Sequence, residues 1–397
     1  MGKKRELSSY IYITALLIFL LAMYVFNLSN LYDSFFSSNG DILFEGFRLL
    51  SFSMILLKII LCDRYKGREF AILFIAFAGI MSVYFSKSTF ILDTLVFGLG
   101  AKGQDFKEIL AIYCKVFLPL TFFIVLTAKF GLIESGESLR GTQIRNHLGF
   151  VHANILGVIL FSIGLSLYYL WSNSSKKKTF LLLMFYFLSF LLIYFETLSR
   201  TTSLLFVLLS AFVIFDFIIR KIRISLIRDF VLFAFSGLAL SSVLFAYIYD
   251  KSSFVQYLNT LVSNRIYFTY YVQENFSLSL FGIYIPYVSG AQSLATSAKA
   301  LILDNAYCRL LFNYGIVVFS VVIYLTIHSI NIASNRNQYG LLICFLFIFI
   351  LGFMESSVLQ VFSNIFAIVP FIYFYKENKG FRLKEKVVKQ YGYTWKN

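Results

Sequence analysis

The chain has 397 residues and a net charge of +15; 59% of its side chains are hydrophobic, only 14% are charged, and its mean hydropathy is +0.78. Soluble domains use roughly 45–50% apolar and about 25% charged residues, so too little polar sequence is present to cover a water-facing surface. The four cysteines, Cys62, Cys114, Cys308 and Cys344, show no CxxC spacing, which speaks against a disulfide framework or a thiolate metal cluster.

Backbone polar groups find no water in hydrocarbon, so each crossing must be a helix of roughly 17–25 mostly apolar residues. In chain order, apolar segments occupy 10–27, 42–62, 70–86, 88–100, 109–131, 149–171, 179–197, 201–218, 230–249, 305–328, 339–358 and 361–375. The fourth is short and holds Asp93 and several glycines, a pattern that fits a tilted, re-entrant or broken helix. The first lacks a small-residue cleavage site and reads as a membrane helix, not a removed signal. The expected fold is an all-α integral membrane protein of about twelve transmembrane helices, a single polytopic domain over 1–397 with no internal repeat.

The basic residues give these segments a direction. Lys3, Lys4 and Arg5 start the chain inside, and alternation then puts 63–69, 101–108, 172–178, 220–229, 331–338 and the tail 376–397 on the same side. These connections hold most of the Lys and Arg, as the positive-inside rule requires of cytoplasmic loops. Both termini are therefore expected in the cytoplasm. The positive charge is a topology signal and an attraction to anionic lipid heads, not a nucleic-acid surface. The longest extracytoplasmic segment, 250–304, precedes the tenth helix; it is polar and aromatic, carries Gly282, Pro286 and Gly290, and is long enough to need a functional reason.

A second set of charges falls on the outer side. Arg140, Arg145, Arg200, Arg265 and Arg309 lie at outer helix ends or in outer loops, against the positive-inside rule. Snorkelling to the headgroups accounts for any one of them, but four lie within polar strings. These strings are RNHLGFVHAN at 145–154 with Gly157 beyond it, TLSRTT at 197–202, Asn264-Arg265, and LDNAYCRLLFNYG at 303–315. Glu196 and Glu355 stand near outer helix ends as well. A guanidinium stays charged at physiological pH and grips phosphate through two parallel hydrogen bonds, so several of them in one outer cavity suit an anionic lipid such as a polyprenyl diphosphate.

In order and placement, these four strings resemble the Wzy-type polysaccharide polymerases, within the larger set of membrane polymerases and O-antigen ligases. The likeness extends over the whole chain in topology. Two positions depart from the pattern: Ala153 stands where many relatives have proline, and Leu198 where an aspartate is frequent. The second departure leaves the turn at 197–202 without a candidate base. The resemblance implies a multi-pass plasma-membrane enzyme, a glycosyltransferase that polymerises undecaprenyl-diphosphate-linked oligosaccharides into capsular polysaccharide or exopolysaccharide on its extracytoplasmic face. Its partners would be that lipid-linked substrate, membrane lipid, and a flippase and chain-length regulator in the same process.

Under that reading Arg145, Arg200 and Arg265 hold the diphosphate, and Tyr307, Asn305 and Asn154 touch sugar or phosphate. Glu196, Glu355 and Ser199 support them. His152, with an ordinary pKa of about 6.5, suits a general base and equally a helix-end hydrogen-bonding role. Asp304 is the second candidate base and equally a helix N-cap. With no DxD-like site on the outer face, neither metal nor cofactor is expected. His328 lies at the wrong end of its helix, and Arg48 and Glu45, one turn apart, read as an intrahelical pair. A flippase for the same lipid would need a polar path through the bilayer and often two repeated halves; a ligase would share the donor site.

Overall fold

The computed structural model describes residues 2–35, 40–65, 67–140, 143–172, 175–288 and 301–376. The tail from 377 onward, and 289–300 of the long loop with Gly290, lie outside the described residues. In chain order the helices are α1 (Gly2–Ala22, prolonged by a π turn, Met23–Leu28), α2 (Leu31–Phe35), α3 (Gly40–Cys62), α4 (Ala71–Ser86), α5 (Leu92–Leu99) and α6 (Phe106–Lys129). A two-stranded hairpin follows, β1 (Glu137–Arg140) with β2 (Gln143–Asn146), then α7 (Ala153–Trp171) and α8 (Lys176–Leu192, running into a π turn, Ile193–Thr197). The rest comprises α9 (Arg200–Ile219), α10 (Ile224–Tyr247), α11 (Ser253–Leu261), α12 (Arg265–Asn275), α13 (Ala306–Cys308), α14 (Gly315–Asn335), α15 (Tyr339–Met354) and α16 (Val369–Phe374).

Six helical stretches among the described residues are long and apolar enough to cross a membrane: Lys4–Leu28, Phe106–Lys129, Ala153–Trp171, Lys176–Thr197, Ile224–Tyr247 and Gly315–Asn335. Shorter apolar helices, α4 and α15 among them, stand beside these. The chain is thus a helical membrane protein. At its centre is α7, apolar on every side and buried from Leu156 through Tyr169, as a helix surrounded by other helices must be.

The structure refines the sequence expectation in four places. A short β hairpin at 137–146 interrupts the otherwise helical chain; in it Ser138 pairs with Arg145 across the strands. The segment at 88–100, read as tilted, re-entrant or broken, yields only the eight residues of α5, about 12 Å of helix, which cannot cross a hydrocarbon core of roughly 30 Å alone. The last segment is also broken: short 3-10 turns at Ser356–Leu359 and Ile365–Ile368 precede the six residues of α16. Finally, the long loop contains α11 and α12. The latter buries Ile266, Thr269 and Val272 at every third position, a spacing already present in the sequence.

Irregular backbone is tolerated at membrane depth only where protein satisfies its polar groups. Here Thr94 of α5 accepts from Val361 N at 2.8 Å and donates to Leu359 O at 2.8 Å. Asn364 donates to Val358 O at 2.8 Å. The broken helix α5 thus holds the broken final segment together.

The basic connections gather at one end of the bundle. Buried Lys58 bonds Asp63, Gly100 O and Lys102 O at 2.8, 2.6 and 2.8 Å, Lys102 pairs with Glu69 at 2.6 Å, and Arg220 bonds Asp216 and Ser172 O. Arg48 pairs with Glu45 as the spacing foretold, but its shorter bond, 2.7 Å, goes to Asp93. The hairpin marks the opposite end.

A polar network at the hairpin end

The string at 145–154 turns the chain from hairpin to helix. Leu148 and Gly149 both adopt positive φ (55° and 83°), reversing direction, and the next residues pair with the end of α1: Asn30 N bonds Gly149 O at 2.8 Å and Val151 N bonds Leu28 O at 3.1 Å. His147 fastens the hairpin through Ser138 Oγ at 2.9 Å. His152 is the N-cap of α7, its Nδ1 accepting from Asn154 N at 3.1 Å. Because Nδ1 is an acceptor, the neutral ring carries its proton on Nε2. His152 is exposed, and it stands just outside α7 as a hydrogen-bond donor; surrounding protein and the charge of Arg145 hold its pKa below the ordinary value.

Arg145 reaches from β2 to two groups, donating from Nε to Thr197 O at 2.8 Å and from Nη2 to Asn154 Oδ1 at 2.6 Å. The other end of the Asn154 amide donates to Glu355 Oε1 at 3.2 Å. One amide therefore joins a cation to an anion, oxygen toward the guanidinium and nitrogen toward the carboxylate. Glu355 is buried immediately beyond α15 and also accepts from Arg265 Nη2 at 2.7 Å. Arg265 in turn meets Asp304 Oδ2 at 3.4 Å, a longer contact to a side chain that is 32% exposed. The result is a continuous series, Arg145, Asn154, Glu355, Arg265, Asp304, contributed by four separate stretches of chain.

Local structure sets each member in place. Gly157 lets α9 approach α7: a Cβ there would lie 2.5 Å from Thr202 Oγ1, and this close approach packs the 197–202 turn beside Arg145. In the long loop Ser263 and Asn264 both take positive φ. Asn259 bonds Asn264 Oδ1 and Tyr267 N at 3.0 and 2.9 Å, so the turn delivers Arg265 as the first residue of α12. Gly282 and Gly315, both at positive φ, cross so closely that a Cβ on Gly282 would lie 2.1 Å from Asn313 O. Ile316 N and Val317 N then bond Ser279 O and Leu280 O at 3.0 Å, tying the loop across the start of α14.

Burial pushes the Glu355 carboxyl up to about 7, with nearby Asp304 adding to the effect while Arg265 and Arg145 oppose it. The charge of Arg265 is held more firmly than usual: its burial is outweighed by Glu355 and Asp304.

Not every expected residue joins the series. Tyr307 is buried and donates to Phe349 O at 3.0 Å. Asn305 is the N-cap of α13 through Cys308 N at 3.0 Å, with its amide nitrogen on Ser242 Oγ and Phe353 O. The capping role open to Asp304 is therefore filled by its neighbour, which leaves Asp304 half-buried beside Arg265. Ser199 is buried and accepts from Thr202 at 2.9 Å. Arg200 is exposed at the start of α9, and among the described residues no group holds its side chain. Glu196 pairs with Lys129 and accepts from Asn146 at 3.0 Å; Lys129, half-exposed at the end of a long apolar helix, gave no sequence signal. The side chain of Arg140 lies outside the described residues. Among the described residues, no three His, Cys, Asp or Glu side chains converge as a metal site.

Fold and network together define a helical membrane protein with a charged, hydrogen-bonded site at one end of its bundle. No protein-family profile matches the chain, and no curated protein or solved structure is significantly similar to it.

Proposed function

We propose that this protein polymerises undecaprenyl-diphosphate-linked oligosaccharide repeat units on the extracytoplasmic face of the plasma membrane. On this reading about twelve apolar segments enter the membrane, α5 only as a broken one, both termini are cytoplasmic, and the hairpin end faces outward. The reading is supported by the resemblance of the polar strings to Wzy-type polymerases. The observation that carries it is the convergence of Arg145 and Arg265 on one network, beside half-buried Asp304 and exposed His152.

The donor is the growing glycan on its lipid diphosphate. As the bond from the anomeric carbon to the phosphate oxygen breaks, charge develops on a leaving group that needs electrostatic stabilisation more than a proton. Arg200, held by no group among the described residues, and Arg145 supply it. Diphosphate oxygens also replace Asp304 on Arg265, because the 3.4 Å contact is the weakest of the series. Asp304 then accepts the proton of the acceptor sugar hydroxyl as that oxygen bonds to the anomeric carbon. His152 donates from Nε2 to substrate oxygen and is a positioning group. Tyr307, Asn305 and Ser199 shape the site without touching the diphosphate or the reacting sugars. Neither metal nor cofactor takes part.

Purified lipid-linked repeat units incubated with the reconstituted protein should yield polymer, and Arg145→Ala, Arg200→Ala and Arg265→Ala should each shorten it or abolish it. Normal polymer from all three removes the diphosphate-grip mechanism. Loss of activity with chelator and recovery with a divalent cation refutes metal independence. Translocation across a vesicle without polymer makes the protein a flippase, and glycan transfer to a different acceptor makes it a ligase.

A further inference from the structure

Arg309 stands apart from the series. Its guanidinium carbon lies 3.6 Å from the Phe90 ring centroid and 4.8 Å from that of Tyr287, and Nη1 donates to Ser356 Oγ at 2.9 Å. Among the described residues no carboxylate pairs with it, and its buried Nε has no hydrogen-bond partner there. The sequence at 289–300, which follows Tyr287, contains no Asp or Glu that could serve. Stacked aromatics stabilise a guanidinium, and the Tyr314 hydroxyl also reaches it, but Nε is left without an acceptor, and a buried N–H of this kind suits an anion. Ser356 follows Glu355 directly, which sets Arg309 next to the network.

A cavity of about 150 Å³ lies nearby, lined not by these residues but by their neighbours, and Phe90 packs against the cluster of Ile91, Leu310 and Val318 that walls it. Leu310 next to Arg309, Ile91 next to Phe90, and Val358 two positions after Ser356 all line it, and it continues between α4, α5, α14 and α15 past Leu95 and Val318. Its walls are almost wholly apolar. A comparable apolar cavity in another protein stays dry and takes up benzene, so this one accommodates an isoprene-sized hydrocarbon segment.

We infer that the cavity receives the phosphate-proximal isoprenoid segment of a polyprenyl diphosphate, with Arg309 as a phosphate ligand at its mouth. An anionic head at an unpaired cation and an apolar segment in an apolar slot match one amphiphile. The inference deepens the function proposed above by assigning the lipid half of the substrate, and it places the diphosphate between Arg309 and Arg265, on either side of Glu355 and Ser356.

The test uses the full chain in lipid nanodiscs with radiolabelled geranylgeranyl diphosphate, inorganic diphosphate and geranylgeraniol as probes. The prenyl diphosphate should bind more tightly than either fragment. Arg309→Gln should weaken it roughly tenfold or more, the effect of losing a charged hydrogen bond. Val318→Phe, which fills the cavity, should weaken the prenyl diphosphate and leave inorganic diphosphate unchanged. A prenyl diphosphate with a diazirine on its first isoprene unit needs no variant: it should label α14 and the stretch from 306 to 310. Labelling elsewhere, or wild-type binding by both variants, overturns the inference. Because binding is read without turnover, the two proposals fail separately. Prenyl diphosphate binding that depends on Arg309, without polymer, leaves the slot standing and removes the polymerase; polymer with wild-type binding in Arg309→Gln does the reverse.

Discussion

Arg265→Ala tests the energetics of the network directly. In the wild type, burial raises the Glu355 pKa from 4.5 to about 7 even with Arg265 donating at 2.7 Å. A carboxyl whose folded pKa is raised binds its proton more tightly in the folded state, so its contribution to stability is complete below about 4.5 and is lost as pH rises through 7. Removing Arg265 removes the strongest influence lowering that pKa, so in the variant the loss extends to still higher pH. Near pH 6 Glu355 is largely protonated in both proteins, and the variant loses mainly a charge-assisted hydrogen bond, about 1–3 kcal/mol. Near pH 9 the variant must either bury an unpaired carboxylate or keep its proton at a cost, and breaking a buried pair costs about 3–5 kcal/mol. The gap between wild type and variant should therefore widen by about 2 kcal/mol from the lower pH to the higher. Asp304 loses the same partner, but with a third of its side chain exposed it adds little. Apparent Tm at a fixed scan rate, measured across that pH range, reads the gap. A Tm difference that is constant with pH, or largest at low pH, would refute the assignment of Glu355 as the buried counter-ion of Arg265.

Three further substitutions probe other parts of the site. His152→Asn keeps a side-chain acceptor for Asn154 N and removes the Nε2 donor; polymerisation should fall at least tenfold with Tm unchanged, and full activity would reduce His152 to a helix cap. With the His152 pKa held below the ordinary value, wild-type activity should be independent of this ring above about pH 6.5; an activity step above that point, absent from His152→Asn, would show the ring titrating where it should not. Asn154→Asp sets a second carboxylate 3.2 Å from Glu355 and should cost about 1–3 kcal/mol at alkaline pH, recovering on acidification; a pH-independent Tm would show that Asn154 does not bridge the two charges. Gly157→Val drives a side chain into Thr202 and should lower stability by about 1–3 kcal/mol while displacing the 197–202 turn; an unchanged Tm would mean that α7 and α9 are not in close contact there.

Much of the site was legible because charge is costly in a membrane. Arg145, Arg265, Asp304 and Glu355 could be singled out from their places in the sequence, since an ionisable group at a helix end in so apolar a chain needs a partner. What could not be read was which groups meet. Asp304 and Asn305 are adjacent and both suit an N-cap; only the packing of α13 against Ser242 and Phe353 gives the cap to Asn305. His152 looked like a base, and the cap it forms with Asn154 N decides which ring nitrogen carries the proton. Only the fold places Phe90, more than two hundred residues earlier in the chain, across the face of Arg309.

By itself the sequence determined that the protein is a helical membrane protein and where most of its apolar helices run. Those follow from transfer free energies and backbone hydrogen bonding, which act residue by residue. The tertiary structure alone decided that the apolar segment 361–375 is broken as well as 88–100, that the two support each other through Thr94, and that one asparagine amide joins two charges from distant segments. Hydropathy measures whether a segment can leave water; it carries no record of which neighbour will satisfy a freed carbonyl or a buried charge, and in this protein those neighbours make the site.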